Sequence, residues 1–533
     1  MKKVLLTLLS AVMLLVCSGV AGAAPASGFK LGDEMLMTSP QYHQLIEGKK
    51  IGLVTNQTGV NSRGESTIDV LAGDSSTNLV ALFGPEHGID GKASAGEYVT
   101  SYTHPRFGIP VYSLYGSTRM PSADMLQGLD VLVFDIQDIG SRTYTYMSTL
   151  NYCMVAAQKY GKQVIVLDRP NPVGGNIVDG PVLEEGYETF VGVDNLPMAH
   201  GMTAGELAQY YNRNIGADLA VVPMQGYDRN MTFEETGLTW VQTSPMLPDL
   251  YSARCYMATG LGEGTGVGQQ DYFKWIGGSG IDPQKFADLL NGAGLPGVQF
   301  IPEQRNQRGG VRLNITDPGT FNPARTGFYA LAYAHSLNNF QVPKSVEGKD
   351  RVMFDKIMGT NKIGLYLEQG LTPQQIEAKY TPALNQFKEE RKKYLIYGTD
   401  NSSGTGDVVG NIAGNISGNI VIKVNGSPIT FDSPPYVDQN NRTVIPLRAV
   451  TEALGAEVNW DDAARTATIV KSGIRVVFEL GSQQTTVNGS EMIMDTEPVL
   501  KNNRIMIPFR YVGEYLGAKV DWIADTRTVT VDY

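Results

Sequence analysis

Glu86 and His87 stand side by side in LVALFGPEHGID, residues 79–90, where an apolar run gives way to a turn set by Pro85 and Gly88. A Pro/Gly turn has no need of an acid, so Glu86 is the carboxyl group least explained by folding. The chain holds only five histidines, and one of them is its neighbour. Other apolar runs end in similar polar groups. Asn56 follows KKIGLVTN at its end; Asp135, Gln137 and Asp138 lie in and after LDVLVFDI; Asp168, Arg169 and Asn171 sit in the DRPNP stretch after QVIVLD. One such cluster is ordinary loop composition. Four clusters following neighbouring strands of a parallel sheet would meet in a single crevice, because sites in open α/β sheets lie outside the carboxyl ends of the strands.

A crevice rich in carboxyl groups suits glycoside cleavage, in which one carboxyl protonates the leaving oxygen and a second acts as base, nucleophile or charge stabiliser. Apolar surroundings raise a carboxyl pKa, and Arg169 lowers that of the acid it contacts, which separates an acid from a base. Glu86, with His87, is the leading acid/base candidate, and Asp135, Asp138 or Asp168 the second carboxyl group. Structural duties compete: Asp135 could satisfy backbone N–H groups or pair with Arg142, and Asp168 could form a structural pair with Arg169. Asn56, Gln137, Arg169, Asn171, His200 and Glu263 are candidate substrate ligands. Glu263 lies in TGLGEGTGVGQQDYFKWIGG, where Gly-flanked polar groups precede Tyr272, Phe273 and Trp275, rings of the kind that stack on sugars. A mobile structural loop is the competing reading of that stretch.

His87, His200 and the acids show no metal-ligand spacing, and GxGxxG, GxxxxGK[ST] and GxSxG are absent. No metal, nucleotide or other cofactor is expected. Motif spacing does not encode the carboxylate separation that decides between retention and inversion.

The elements that must position these groups are those of an α/β domain. From Lys49 to Val222, β-rich apolar runs alternate with stretches of helical spacing, predicting a Rossmann-like, mainly parallel sheet over residues 40–222. Thr203 and Glu206 form a predicted capping box for a helix in HGMTAGELAQYYNRNIG. Residues 223–397 read as a smaller α+β subdomain closed by an amphipathic helix from Pro373. A Gly/Asn/Ser-rich linker spans 398–419. Residues 420–533 then repeat with a period of 62, superposing Pro446 on Pro508, Arg448 on Arg510, Gly455 on Gly517, Trp460 on Trp522 and Arg465 on Arg527. Each copy predicts a strand, a short helix ending at Gly and a hairpin, a small α+β module without catalytic groups.

A chain of 533 residues exceeds one hydrophobic core. Its first residues, 1–24, combine a basic start, an apolar run too short to span a bilayer and a small-residue exit, the pattern of a cleaved secretory signal. Bulky Val16 argues against lipidation at Cys17. A secreted, wall-associated protein with no membrane span is expected. Its net charge of −11 makes it a poor nucleic-acid binder. Two cysteines remain beyond the signal, Cys153 and Cys255, as buried free thiols or one disulfide.

The ordered motifs NQTGV, FGPEHGIDG, VYSLYG, DVLVFDIQDIGSRTYTY, VLDRPNPVGG, DGPVLE and HGMTAGELA, with FDKIMGTNKIGLYLEQGLTPQQI and FKEERKKYLIY, resemble the NamZ-type exo-β-N-acetylmuramidases from about residue 40 to 397. The resemblance implies a Rossmann-like subdomain paired with a smaller one. It also implies release of N-acetylmuramic acid from non-reducing ends of peptidoglycan fragments without a redox cofactor, with site acids matching at Glu86, Asp135, Asp138 and Asp168. One departure stands out: after Glu263 this chain reads EGTGVGQQDYFKW, without the Arg of the family's GRGT-like stretch. That loss favours the rival expectation, a non-catalytic binder of wall saccharides. The 62-residue repeat resembles the module named for the N-terminal domain of copper amine oxidases, and implies attachment to the cell wall. Residues 420–533 contain no His and no Cys to hold copper.

Overall fold

The computed structural model describes residues 28–398 apart from residue 347 and, in shorter stretches, residues between 421 and 532. The expected signal, residues 1–24, and all but the first residue of the expected linker lie outside the described residues. The chain divides into two compact units, Met1–Asp400 and Asn401–Tyr533.

Seven strands form the main sheet of the first unit: β1 Lys50–Thr55, β2 Asn78–Gly84, β3 Tyr102–Thr103, β4 Pro110–Ser113, β5 Val131–Asp135, β6 Gln163–Leu167 and β7 Leu219–Val222. Their order is β3-β4-β2-β1-β5-β6-β7, parallel except for β3 against β4. The six longer strands follow the predicted apolar runs, because a sheet covered on both faces needs continuous rather than alternating apolar sequence. The two-residue β3 is exposed and carries no such pattern. The chain runs outward from β1 to β2 and β4, then returns to place β5 on the other side of β1. This reversal opens a crevice at the carboxyl ends of β1 and β5, where Thr55 is in register with Asp135.

Helices Tyr146–Lys159 and Ala204–Ile215 pack against the sheet. The capping box forms: Thr203 Oγ1 accepts from the Glu206 N–H at 3.3 Å, and Glu206 Oε2 accepts from the Thr203 N–H at 3.0 Å. A helix ahead of residue 40, Gly32–Thr38, also packs on β6 and β7, its Gly32 N–H donating to the Asp168 carbonyl at 3.0 Å.

Residues beyond β7 build an antiparallel sheet of β8 Gly268–Gln270, β9 Trp275–Ser279, β10 Val298–Arg305 and β11 Arg308–Ile315, in the order β10-β11-β9-β8. Helix Pro283–Asn291 packs on β10 and β11 and helix Pro323–Asn338 on β9, with helix Leu250–Thr259 against the latter helix. Helix Pro373–Arg391 closes the region with Thr372 as its cap and Pro373 in its first turn. One apolar cluster runs through both sheets' surroundings, so the two subdomains of this unit share a core. Cys153 and Cys255 lie within it as free thiols, and burial pushes both thiol pKa values up. No helix among the described residues is long and apolar enough to cross a membrane.

The second unit is mostly sheet. Its two copies meet where strand Thr443–Pro446 pairs antiparallel with Arg504–Pro508, Ile445 opposite Ile507. These residues are 62 apart, so each copy presents the same edge to the other, as at a two-fold interface. The hairpin Glu457–Asp461/Thr466–Lys471 recurs as Lys519–Ile523/Thr528–Asp532.

Candidate active site

Glu86 is placed by β2 and the turn that ends it. His87 adopts φ 71° and Gly88 φ 77°, so a non-glycine residue occupies the left-handed region, at a cost of about 1 kcal/mol. The His87 ring offsets this by hydrogen bonding through Nδ1 to the Ala93 carbonyl at 2.8 Å, which fixes Nδ1 as the donor. Backbone strain held at one polar turn is a recurrent property of functional sites. The Glu86 carboxylate is nearly buried, with Oε2 accepting from Thr145 Oγ1 at 2.5 Å and Oε1 from the Gly96 N–H at 3.0 Å. A hydrogen bond to a charged acceptor is worth about 1.5–3 kcal/mol. Thr145→Val is therefore expected to lower the melting temperature by a few degrees and kcat by about one to two powers of ten, checked by steady-state rates beside a thermal melt.

Asp138, Asn56 and His200 share a feature that the other candidates lack. Asp138 Oδ2 accepts from the Gly140 N–H at 2.8 Å, but its Oδ1, the Asn56 Nδ2 and the His200 Nε2 are buried without hydrogen-bond partners in the protein. Asn56 is oriented by its other end, where Oδ1 accepts from the Thr58 N–H at 2.9 Å. His200 Nδ1 accepts from the Met202 N–H at 3.2 Å, which leaves the ring proton on Nε2, 3.7 Å from Asp138 Oδ2. Buried polar atoms with unused bonding capacity are expected where a polar ligand will supply the partner.

A cluster of phenols fills the space between these groups. Tyr144 and Tyr146 pack edge to face at 4.8 Å, and Tyr144 packs edge-on to Tyr256 at 5.8 Å. The Tyr256 pKa is pushed up by burial and further by the charges of Glu86, Asp138 and Glu263. Three carboxylates from three separate segments thus act on one phenol. Glu263 itself is exposed, in the turn after helix Leu250–Thr259. Behind it, Asp271, Tyr272 and Phe273 all have positive φ, at 55°, 54° and 68°. That left-handed turn leaves Tyr272 45% exposed, whereas Phe273 packs on Tyr256 at 4.9 Å and Trp275 is fully buried. Of the three rings read as sugar platforms, only Tyr272 is available.

The remaining candidates stand behind the crevice. Arg169 does not contact substrate space: its Nε and Nη2 hold Asp135 at 2.5 and 2.9 Å, Nη1 donates to the Val60 carbonyl at 2.9 Å, and Nη2 lies 3.7 Å from Asp33. Burial alone lowers its pKa, but the charges of Asp135 and Asp33 hold it above the usual value. Asp135 is fully buried and also accepts from Thr67, so it is a structural ion-pair partner rather than a second working acid. Its partner is Arg169 and not Arg142, whose guanidinium instead binds the carbonyls of Pro181, Leu196 and Ile357.

Asp168 is likewise withdrawn from chemistry. Both oxygens are engaged, by the N–H groups of Arg169 and Gly205 and the hydroxyls of Thr203 and Tyr397, all within 2.9 Å. A Cβ on Gly205 would lie 2.8 Å from the Asp168 carboxyl carbon, so only glycine allows the helix end to approach so closely. Gln137 Nε2 bridges the carbonyls of Asp138 and Pro170, each at 2.8 Å, and Asn171 braces its own turn through the Val173 N–H and the Met202 carbonyl.

Burial pushes the Asp168 pKa from 3.8 up to about 6, against the pull of the Gly205 N–H and the Tyr397 hydroxyl. Between these pH values the native state binds a proton that the unfolded chain has lost, so stability from this carboxyl falls as pH rises through about 6. The melting-temperature gap between wild type and Asp168→Asn is expected to narrow between pH 4 and pH 7. A gap that widens would show a carboxylate preferred by the fold.

Sequence reading missed Thr145, Gly96, Tyr115 and Tyr256. The alternation in the TYTY run at the start of helix Tyr146–Lys159 was the available signal for the first. A cavity of about 850 Å³ lies elsewhere, between residues 181–195 and 360–383. Arg213–Asp194 and Lys362–Glu184 ion pairs lie in its walls, and none of the candidate site residues lines it.

A doubly wound α/β domain with a carboxylate- and phenol-lined crevice at its topological switch point defines a class of small-ligand sites, of which hydrolases are one. Comparison narrows it. The family model for the N-terminal domain of the exo-β-N-acetylmuramidase NamZ matches residues 51–251, that for its C-terminal domain residues 254–397, and that for the copper amine oxidase N-terminal domain residues 423–531. The peptidoglycan β-N-acetylmuramidase NamZ of Bacillus subtilis is 40% identical over 420 residues, covering 74% of this chain and 100% of that protein. Two crystal structures of DUF1343 family proteins from Bacteroides fragilis match, at 35% identity with a TM-score of 0.62 and at 28% with 0.54. Each covers 70% of this chain, and the chain covers 100% and 99% of them respectively. The chain belongs to the NamZ exo-β-N-acetylmuramidase family, with a copper amine oxidase N-terminal-type module appended.

Proposed function

We propose that the protein is an exo-acting glycosidase that releases N-acetylmuramic acid from the non-reducing ends of peptidoglycan fragments. The observation that carries this reading is the likeness to the Bacillus subtilis muramidase over that enzyme's full length.

The geometry supports particular roles. Glu86, held by Thr145 and Gly96 at the crevice, is the proton donor to the glycosidic oxygen. Asp138, with one oxygen free of protein donors and His200 beside the other, is the second carboxyl group, acting on the anomeric side of the sugar. His87 fixes the turn that aims Glu86, and Asn56 offers an amide N–H to a substrate oxygen. Secretion and wall association rest on the amino-terminal signal pattern and the carboxyl-terminal repeats.

A chromogenic muramic acid glycoside and its glucosamine analogue test the reading directly. Release from the first is expected. Release from neither, with saturable binding of wall fragments, would make the protein a saccharide-binding relative instead.

A further inference from the structure

The missing Arg after Glu263 leaves the anionic arm of a muramic acid residue without an evident partner in that loop. Another cation lies near Glu86, in the segment after β4. Gly84 of β2 is in register with Ser113 of β4, so Glu86 and Tyr115, each two residues further on, leave the sheet side by side. The segment 96–99 ties them together: the Gly96 N–H binds Glu86 Oε1 and the Val99 N–H binds the Tyr115 carbonyl, both at 3.0 Å. Arg119 lies four residues beyond Tyr115. Its guanidinium carbon stands 4.9 Å from the centre of the Tyr115 ring and 4.3 Å from that of Phe190, and the two rings are 5.8 Å apart.

Arg169 is ion-paired with Asp135, and Arg142 is spent on carbonyls, but among the described residues Arg119 has no carboxylate within ion-pair distance. Contact with two rings and with the Tyr115 hydroxyl restrains the guanidinium, and its remaining N–H groups can bind a carboxylate. Arg119 and Glu86 act on the same phenol: burial and the charge of Glu86 push the Tyr115 pKa up, and Arg119 draws it down.

We propose that Arg119, held against Tyr115 and Phe190, binds the lactyl carboxylate of the muramic acid residue and so selects it over the otherwise identical N-acetylglucosamine. The proposal rests on the muramidase reading above. Glucosamine lacks the anionic arm, and a site with an unpaired cation gains nothing from it.

The test compares a chromogenic muramic acid glycoside with the same compound carrying its lactyl group as the neutral amide, using the full chain. Arg119→Gln is expected to lower kcat/KM for the acid by about 100-fold, mostly through KM, and for the amide by less than about threefold. Arg119→Lys, which keeps the charge but not the fork, should fall between wild type and Arg119→Gln on the acid. Equal losses on both substrates would make Arg119 a prop for Tyr115 and overturn the assignment, as would full activity of Arg119→Gln on the acid. A wild-type protein inert on both compounds would instead overturn the muramidase reading itself, and the proposal with it. Because Arg119 is exposed, both variants should melt with the wild type.

Discussion

Glu86→Gln is expected to fold like the wild type and to lose about two to four powers of ten in kcat, the usual contribution of a proton-transfer group. The glutamine amide keeps the shape of the carboxylate. Its oxygen can accept from the Gly96 N–H, and its nitrogen can donate to the Thr145 hydroxyl, which serves equally well as an acceptor. The apolar packing around the turn is unchanged, so a melting temperature near that of the wild type should accompany the loss. What disappears is the proton that must reach the glycosidic oxygen as the bond breaks. Steady-state rates on an aryl muramic acid glycoside check this, and an aryl group that leaves without protonation should narrow the deficit. A variant with nearly wild-type rates would remove Glu86 from the chemistry.

Arg169→Met should show the opposite pattern, a loss of folding rather than of a chemical step. The methionine leaves the Asp135 carboxylate, fully buried, and the nearly buried Asp33 without their shared cation. Burial already pushes the Asp33 pKa up against the pull of Arg169. Breaking a buried pair from one side typically costs about 3–5 kcal/mol, because the remaining charge stays desolvated. The urea midpoint of the first unit should fall accordingly, and Asp135→Leu combined with Arg169→Met should recover part of it. Arg169→Met with wild-type stability but no turnover would return Arg169 to the list of substrate ligands.

These two residues also show what the sequence could and could not convey. Glu86 and Asp135 look alike on paper, each an acid at the end of an apolar run. The strands were legible because burial on both faces demands continuous apolar stretches, and the carboxyl ends of parallel strands locate a site regardless of its contents. Which acids face the crevice depends on what covers the others, and those covers come from far along the chain. Asp135 is capped by Thr67 and Arg169, and Asp168 by Tyr397, 229 residues away. Tyr256 and Glu263 come from the second subdomain, so no local pattern could join them to Glu86. Trp275 followed the same logic in reverse, reading as a sugar platform but serving as core beneath the antiparallel sheet.

The most direct measurement is the product of the full chain acting on the two disaccharides built from N-acetylmuramic acid and N-acetylglucosamine in opposite orders, resolved by mass-detected chromatography. Free N-acetylmuramic acid is expected from the disaccharide that carries it at the non-reducing end, none from the reversed one, and release at least about 100-fold slower with Glu86→Gln. Cleavage of both orders, of neither, or undiminished release by Glu86→Gln would contradict an exo-muramidase working through that carboxyl group.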